Sequence, residues 1–254
     1  CMRLDRFCLQ GLDAYHKLRD QPALDATSRL SPYLAAGVLG IRECWRKSAA
    51  CQDGEGLFTW QNELLWRDFY RHIMFHFPRV CQHQPWKQDT VRIPWRHDPK
   101  EFHRWCHGQT GFPIIDAAMR QLLELGWMHN RLRMIVAMFL SKHLLIDWRL
   151  GEKWFMQHLV DGDFAANNGG WQWSASTGTD AVPYFRIFNP VTQSQRFDPH
   201  GDFIRAFVPE LATLDRRAIH QPGKLRPAAY PEPMIDLGFG RQRALSAFKN
   251  HRLE

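Results

Sequence analysis

Seven consecutive apolar residues, Met134-Ile-Val-Ala-Met-Phe-Leu140, form the longest unbroken apolar run in this 254-residue chain. Such a run is far too short to cross a bilayer and too apolar to face water, so it reads as part of a buried helix. The segment 130–145 around it is the most apolar helix of a mostly helical pattern. Residues 15–18 form a short amphipathic piece. Ser31-Pro32 supplies a cap and a first position for a helix through about residue 39. A second short helix spans 41–50. Trp60, Leu64, Phe69, Ile73 and Phe77 recur near the 3.6-residue period and predict a long helix over 60–77, stopped by Pro78. Further helices are expected over 101–107, 113–125, 152–160, 202–207 and 240–251. Residues 85–99 are irregular, and the chain is loop-rich after Pro183. No alternating strand pattern, internal repeat or interior linker is visible. The expectation is one all-α, multi-helical domain over 1–254 with a loop-rich C-terminal part.

Hydrophobic residues make up 44% and charged residues 23%, the balance of a soluble globular chain that buries a core without disulfides or metal staples. The six cysteines contain no CxxC and read as reduced thiols in a cytosolic protein. The charged start, Cys1-Met-Arg-Leu-Asp-Arg6, lacks the apolar stretch of a signal peptide. Because the first residue is not Met, the chain reads as a piece of something longer. Thirty-three Lys+Arg against 26 Asp+Glu leave a net charge of +7, which suits a polyanionic partner such as nucleic acid as well as it suits an incidentally basic protein. Eleven tryptophans are heavy use of a residue whose indole N–H wants a partner when buried, and invite a role in stacking or electron transfer.

Three segments carry chemistry. In Trp60-Gln-Asn-Glu63-Leu-Leu-Trp66-Arg67-Asp-Phe-Tyr70, residues 60, 63, 66, 67 and 70 share one helix face. That face is either a surface stripe with a Glu63–Arg67 ion pair or a place where something stacks on Trp60 and Trp66. In Trp127-Met-His-Asn130-Arg131-Leu-Arg133-Met134, Arg133 lies beside the apolar run and needs a partner, with Asp161 and Asp163 the nearest candidates in sequence. Asp161-Gly-Asp163-Phe-Ala-Ala-Asn167-Asn168-Gly-Gly-Trp171-Gln-Trp173 combines small residues, which admit a flat ligand close to backbone, with carboxylates and amides for its edge. It also reads as a Gly-rich turn, but its spacing does not fit an EF-hand loop. No GxGxxG, GxxxxGK[ST], HExxH or GxSxG occurs, and the 13 histidines show no metal-ligand spacing, so no metal site is expected.

These segments, with Thr27-Ser-Arg-Leu-Ser31 and Gly111-Phe-Pro-Ile-Ile-Asp-Ala-Ala-Met-Arg-Gln-Leu122, resemble in family order the C-terminal, FAD-binding half of the DNA photolyase and cryptochrome family. The match covers roughly residues 10 to 210 and is nearest the bacterial class I photolyases for cyclobutane pyrimidine dimers. The resemblance implies non-covalent FAD held in a folded shape. Tyr15, Thr27, Ser28, Arg29, Leu30, Ser31, Trp60 and Arg67 match positions at its phosphates and neighbouring parts. Arg133, Asp161, Gly162 and Asp163 match the flavin and ribitol surroundings, and Asn167 the residue facing flavin N5. Glu63, Trp66, Asn130, Met134 and Trp173 match the pocket for the flipped-out dimer, with Glu63 hydrogen-bonding a base. Arg19, Arg131 and Gln193 match DNA contacts. Trp171, Trp148 and Trp105 match a tryptophan chain that carries electrons from the surface to oxidised flavin. The implied function is light-driven repair of pyrimidine dimers in single- or double-stranded DNA by a cytoplasmic monomer. A cryptochrome-type photoreceptor, a (6-4) photolyase and a non-catalytic DNA-binding module are the alternatives. The family's N-terminal α/β antenna domain has no counterpart in this sequence, so the antenna pigment is not assignable.

Overall fold

The computed structural model describes residues 1–179 and 185–250, with α-helices, short 3₁₀ turns and, among the described residues, no strand. In chain order the helices are α1 (Met2–Gln10), α2 (Tyr15–Leu18), α3 (Ser31–Ala35), α4 (Ile41–Ala49), α5 (Glu55–His76), α6 (Pro99–Cys106), α7 (Pro113–Leu125), α8 (Asn130–Met138), α9 (Trp148–His158), α10 (Phe164–Ala175), α11 (Pro190–Phe197), α12 (Asp202–Phe207) and α13 (Leu237–Asn250). None is long and apolar enough to cross a membrane.

The apolar run fills the end of α8 and the turn after it, and Leu132, Ile135, Val136, Ala137, Phe139 and Leu140 are buried in the larger core with α7 and parts of α6, α9, α10 and α12. The expected single helix over 130–145 is instead α8 followed by a π-helical turn over Phe139–His143. Ser141 Oγ donates back to the Ala137 carbonyl at 2.7 Å, which widens the helix there. Lys142, fully buried, reaches the end of α10, donating to Ala175 O and Ser176 Oγ at 2.9 Å each. A cation suits a helix C-terminus.

A second core joins α1, α2, α4 and the first half of α5 through Leu4, Phe7, Tyr15, Leu57, Trp60 and Leu64. Two expectations change here. The long helix starts at Glu55 and not at residue 60; a Cβ on Gly56 would lie 2.0 Å from the Leu12 carbonyl, so only glycine lets α5 begin against the α1–α2 turn. Trp60 is 3% exposed and packs 5.4 Å from the Phe7 ring, so it does not share an exposed aromatic face with Trp66.

Other boundaries shift for local reasons. Ser31 is the first residue of α3 and caps nothing; its Oγ accepts from Trp127 Nε1 at 3.4 Å. α3 stops at Ala35, and Gly37 at φ +73° turns the chain away. α9 begins at Trp148, capped by Asp147. The Gly-rich segment is a helix, α10: Asp163 caps it by accepting from Ala166 N at 3.0 Å. Gly169 admits the Tyr70 ring against the helix, where a Cβ would meet it at 2.1 Å. α13 begins at Leu237; residue 251, the expected end, lies outside the described residues.

The loop-rich C-terminal part is tied to the core by Asp116. This fully buried carboxylate accepts from Thr110 N and Oγ1, Gly111 N and Tyr230 Oη at 2.5–3.0 Å. Asp116→Ala strands these donors. It should cost ~3 kcal/mol, which lowers the melting temperature by roughly 6–12 °C in a thermal unfolding measurement. A melting point within a degree of wild type would show that the clamp is dispensable.

Candidate functional site

A cleft of about 500 Å³ opens between α2, the 27–31 loop, α5, α8 and α10. A smaller recess of about 160 Å³ shares its wall at Arg67, Asn130, Arg133, Met134 and Asp161. Helical spacing delivers the side chains: Glu63, Trp66, Arg67 and Tyr70 from α5, Asn130, Arg133 and Met134 from α8, and Asn167, Trp171 and Trp173 from α10.

One wall carries three hydroxyls and a guanidinium. Thr27, Ser28, Arg29, Leu30 and Ser31 line it, and Arg29 holds φ +47°, a left-handed conformation that a non-glycine residue adopts at a cost. The Arg29 guanidinium pairs with Asp25 at 2.8 Å and stacks 4.7 Å from the Trp127 ring. Tyr15 and Trp60 close the inner end. Arg67 donates to Leu34 O at 3.2 Å and Asp163 Oδ2 at 2.8 Å, while its buried Nε has no partner among the described residues. Ser174 Oγ, buried in the recess, also lacks one.

The carboxylates do not pair as the sequence suggests. Glu63 and Arg67 share a helix face but not an ion pair. Glu63 binds Arg19 at 2.6 Å across to α2, and Arg67 binds Asp163 across to α10. Arg71 adds a second bond to Asp163 Oδ2 at 2.9 Å. Despite its burial, Asp163 is held below the ordinary carboxyl range by the Ala166 N–H and the two guanidinia. Arg133 finds Asp161, one of its two candidates, in a two-pronged pair at 3.0 and 2.7 Å. Asn167 donates through Nδ2 to the Glu152 carbonyl at 2.9 Å, which leaves its Oδ1 for the recess.

Five expected site residues, Gly162, Arg131, Gln193, Trp105 and Trp148, line neither the cleft nor the recess. Gly162 only turns the chain between Asp161 and Asp163, with its N–H on Leu159 O. Arg131 points outward, to Asp20 at 2.6 Å and over the Phe197 ring at 4.5 Å. Gln193 sits on α11. In the tryptophan chain, Trp105 lies 6.0 Å from Trp171, edge to face, and is 0% exposed. It therefore cannot be the surface end of a relay. Trp148 is also fully buried. Trp95 is a half-buried indole that the sequence reading did not single out. The parallel bridge Arg96–Ile146 brings its segment alongside the one leading into Trp148, a pairing between irregular segments that no periodicity announces.

Residues 60–250 match the family model described as the FAD binding domain of DNA photolyase. Deoxyribodipyrimidine photo-lyases from Salmonella typhimurium and Escherichia coli are 53% and 50% identical over 98% of the chain and 55% of their own length. The crystal structure of a bacterial class III photolyase from Agrobacterium tumefaciens superposes with TM-score 0.93 at 45% identity, covering 100% of this chain and 55% of that one. A Synechocystis cryptochrome superposes with TM-score 0.88 at 32% identity, covering 97% and 54%. The chain thus spans about half the length of the relatives it matches.

His129, a residue the sequence did not single out, starts the helix that carries Asn130 and Met134. Its Nδ1 accepts from Arg131 N at 3.1 Å, and burial pushes its imidazole down to about 4. Its contribution to stability is therefore complete above the unfolded value near 6.5 and is lost as pH falls towards 4. Urea unfolding should show about 2 kcal/mol of this loss between pH 7.5 and pH 5. His129→Asn keeps a cap and should abolish that share of the pH dependence. An unaltered pH dependence in the variant would place the sensitivity elsewhere.

Proposed function

The chain belongs to the family of FAD-binding domains of DNA photolyase, and from this premise we propose that it is the catalytic half of a light-driven deoxyribodipyrimidine photo-lyase, with residues 1–254 forming one helical FAD-binding domain. The observation that carries the reading is that a single cleft gathers an anion-receiving wall, a recess edged by Asn167 and an open aromatic end with Glu63 and Trp66. The donor set fits FAD. The hydroxyls of Thr27, Ser28 and Ser31 and the unpartnered Arg67 Nε suit a pyrophosphate. Asp161, fixed by Arg133, and Asn167, fixed on Glu152 O, suit the edge of a flavin. Bound there in its reduced form, FAD supplies light-driven electron donation, with no net redox change once the dimer has split.

The chain's own residues do the rest. Trp66, 50% exposed, offers a π face to bases taken out of the stack, and Trp173, Met134 and Asn130 line the same end. Glu63, oriented by Arg19, accepts from a base N–H, and Asn130 adds an amide. Trp171 and Trp148 would pass electrons to oxidised flavin held in the recess, refilled in turn by a reductant from solution; Trp105 serves as an inner neighbour of Trp171. The substrate is dimer-bearing DNA, single- or double-stranded, met by a monomer in the cytosol.

The purified protein should carry FAD and split dimers in oligo(dT) under blue light. Glu63→Ala should lower the repair yield per absorbed photon and leave flavin content unchanged. Normal dimer binding with an unchanged yield would remove Glu63 from the reaction. Trp171→Phe should suppress photoreduction of oxidised FAD while sparing repair by protein reduced chemically beforehand. Undiminished photoreduction would make Trp171 a packing residue only.

A further inference from the structure

A second cavity, about 510 Å³, lies at the end of α11 and is lined by Gln195, Pro199, Asp215, Arg216, Arg217 and His220. Its floor is rigid: His220 is buried with its Nδ1 2.6 Å from Ser194 Oγ. Asp215 is occupied by its own turn, accepting from Arg217 N at 2.7 Å and Ala218 N at 2.9 Å. Those bonds hold its carboxyl below the ordinary range. Arg216 and Arg217 are exposed, and neither guanidinium has an ion pair or hydrogen bond among the described residues. The cleft arginines Arg19, Arg67 and Arg133 differ, each reaching a carboxylate at 2.6–2.8 Å, as does Arg131 outside the cleft. Two adjacent guanidinia without a bonded partner, against the single carboxylate of Asp215, leave the mouth of this cavity net positive and favour an anion from outside the chain.

The cavity and the cleft share no lining residue, but contacts on α11 connect their surroundings. Arg131, at the rim, stacks on one ring, Phe197 of α11, at 4.5 Å; the exposed Arg196 stacks on the same ring at 5.1 Å. Gln195, the next residue, enters the cavity. Positive charge therefore runs from the rim along α11 to Arg216 and Arg217.

We infer that this cavity is an outlying clamp for the DNA backbone, in which Arg216 and Arg217 hold phosphates of the strand away from the dimer. The inference rests on the DNA reading above. It assigns the clamp to affinity and register, with no part in the photochemistry.

The test uses Arg216→Ala/Arg217→Ala, a charge-retaining Arg216→Lys/Arg217→Lys control, and duplexes with and without a dimer. Each lost phosphate contact removes about 0.9 from the log–log salt slope, roughly an eightfold loss of affinity at 0.1 M salt if the contact is worth nothing at 1 M. The alanine pair should lose up to about two such steps, equally on damaged and undamaged duplexes. The lysine pair should keep most of the slope. A duplex trimmed close around the dimer should bind wild type and the alanine pair equally, and the repair yield per photon at saturating DNA should not change. An unchanged salt slope in the alanine pair would overturn the clamp. So would an equal loss on the trimmed duplex, or competition by free inorganic phosphate at concentrations that leave the salt slope intact, which would mark a free-anion site. Failure of the photolyase reading is read separately, as absence of any preference for dimer over intact DNA in wild type.

Discussion

Asp163 is the residue on which the cleft depends. Its Oδ1 caps α10 through Ala166 N, and its Oδ2 takes both Arg67 and Arg71 of α5. One carboxylate thus starts the helix that carries Asn167, Trp171 and Trp173 and sets its position against the helix that carries Glu63 and Trp66. Arg67 and Asp163 are 11% and 12% exposed, so removing either leaves the other's charge poorly solvated. That cost runs to several kcal/mol and exceeds what an exposed pair contributes. Gly169 completes the joint by letting Tyr70 lie against the backbone of α10.

Charge compensation shapes the rest of the site. Glu63, Arg19, Asp20 and Arg131 alternate in sign from the interior of the cleft to its rim, with contacts of 2.6, 3.9 and 2.6 Å. Arg133 and Asp161 cancel on the opposite wall. Fixed, paired charges orient hydrogen-bonding groups without presenting a strong net field to the ligand, and such preorganisation is what a site for a flat, polar-edged molecule requires. Arg216 and Arg217, which have no ion pair among the described residues, lie outside the cleft.

Local signals were legible to the extent that physics is local. The 113–125 and 202–207 helices stand at the residues their Pro, Gly and apolar spacing indicated, because a fixed proline φ and a left-handed glycine act within one turn. The Gly-rich segment 164–175 was not legible as a helix. Glycine's poor propensity there is outweighed by the Asp163 cap and by close packing against Tyr70, and both partners come from outside the segment. The π turn after Met138 likewise answers to Lys142 reaching across to α10.

The sequence by itself determined the all-helical class, since helical period is a property of neighbouring residues, and carried the motifs of the family resemblance, which implied most of the side chains that line the cleft. Pairing is a property of space, and the tertiary structure alone decided it. Glu63 and Arg67, four residues apart, each chose a partner on another helix. Trp60 turned into the core against Phe7. Trp105, read as a surface electron port, proved fully enclosed beside Trp171. In each case the deciding term was burial or an ion pair between segments tens of residues apart, and its strength depends on distance and solvent exclusion that no spacing along the chain encodes.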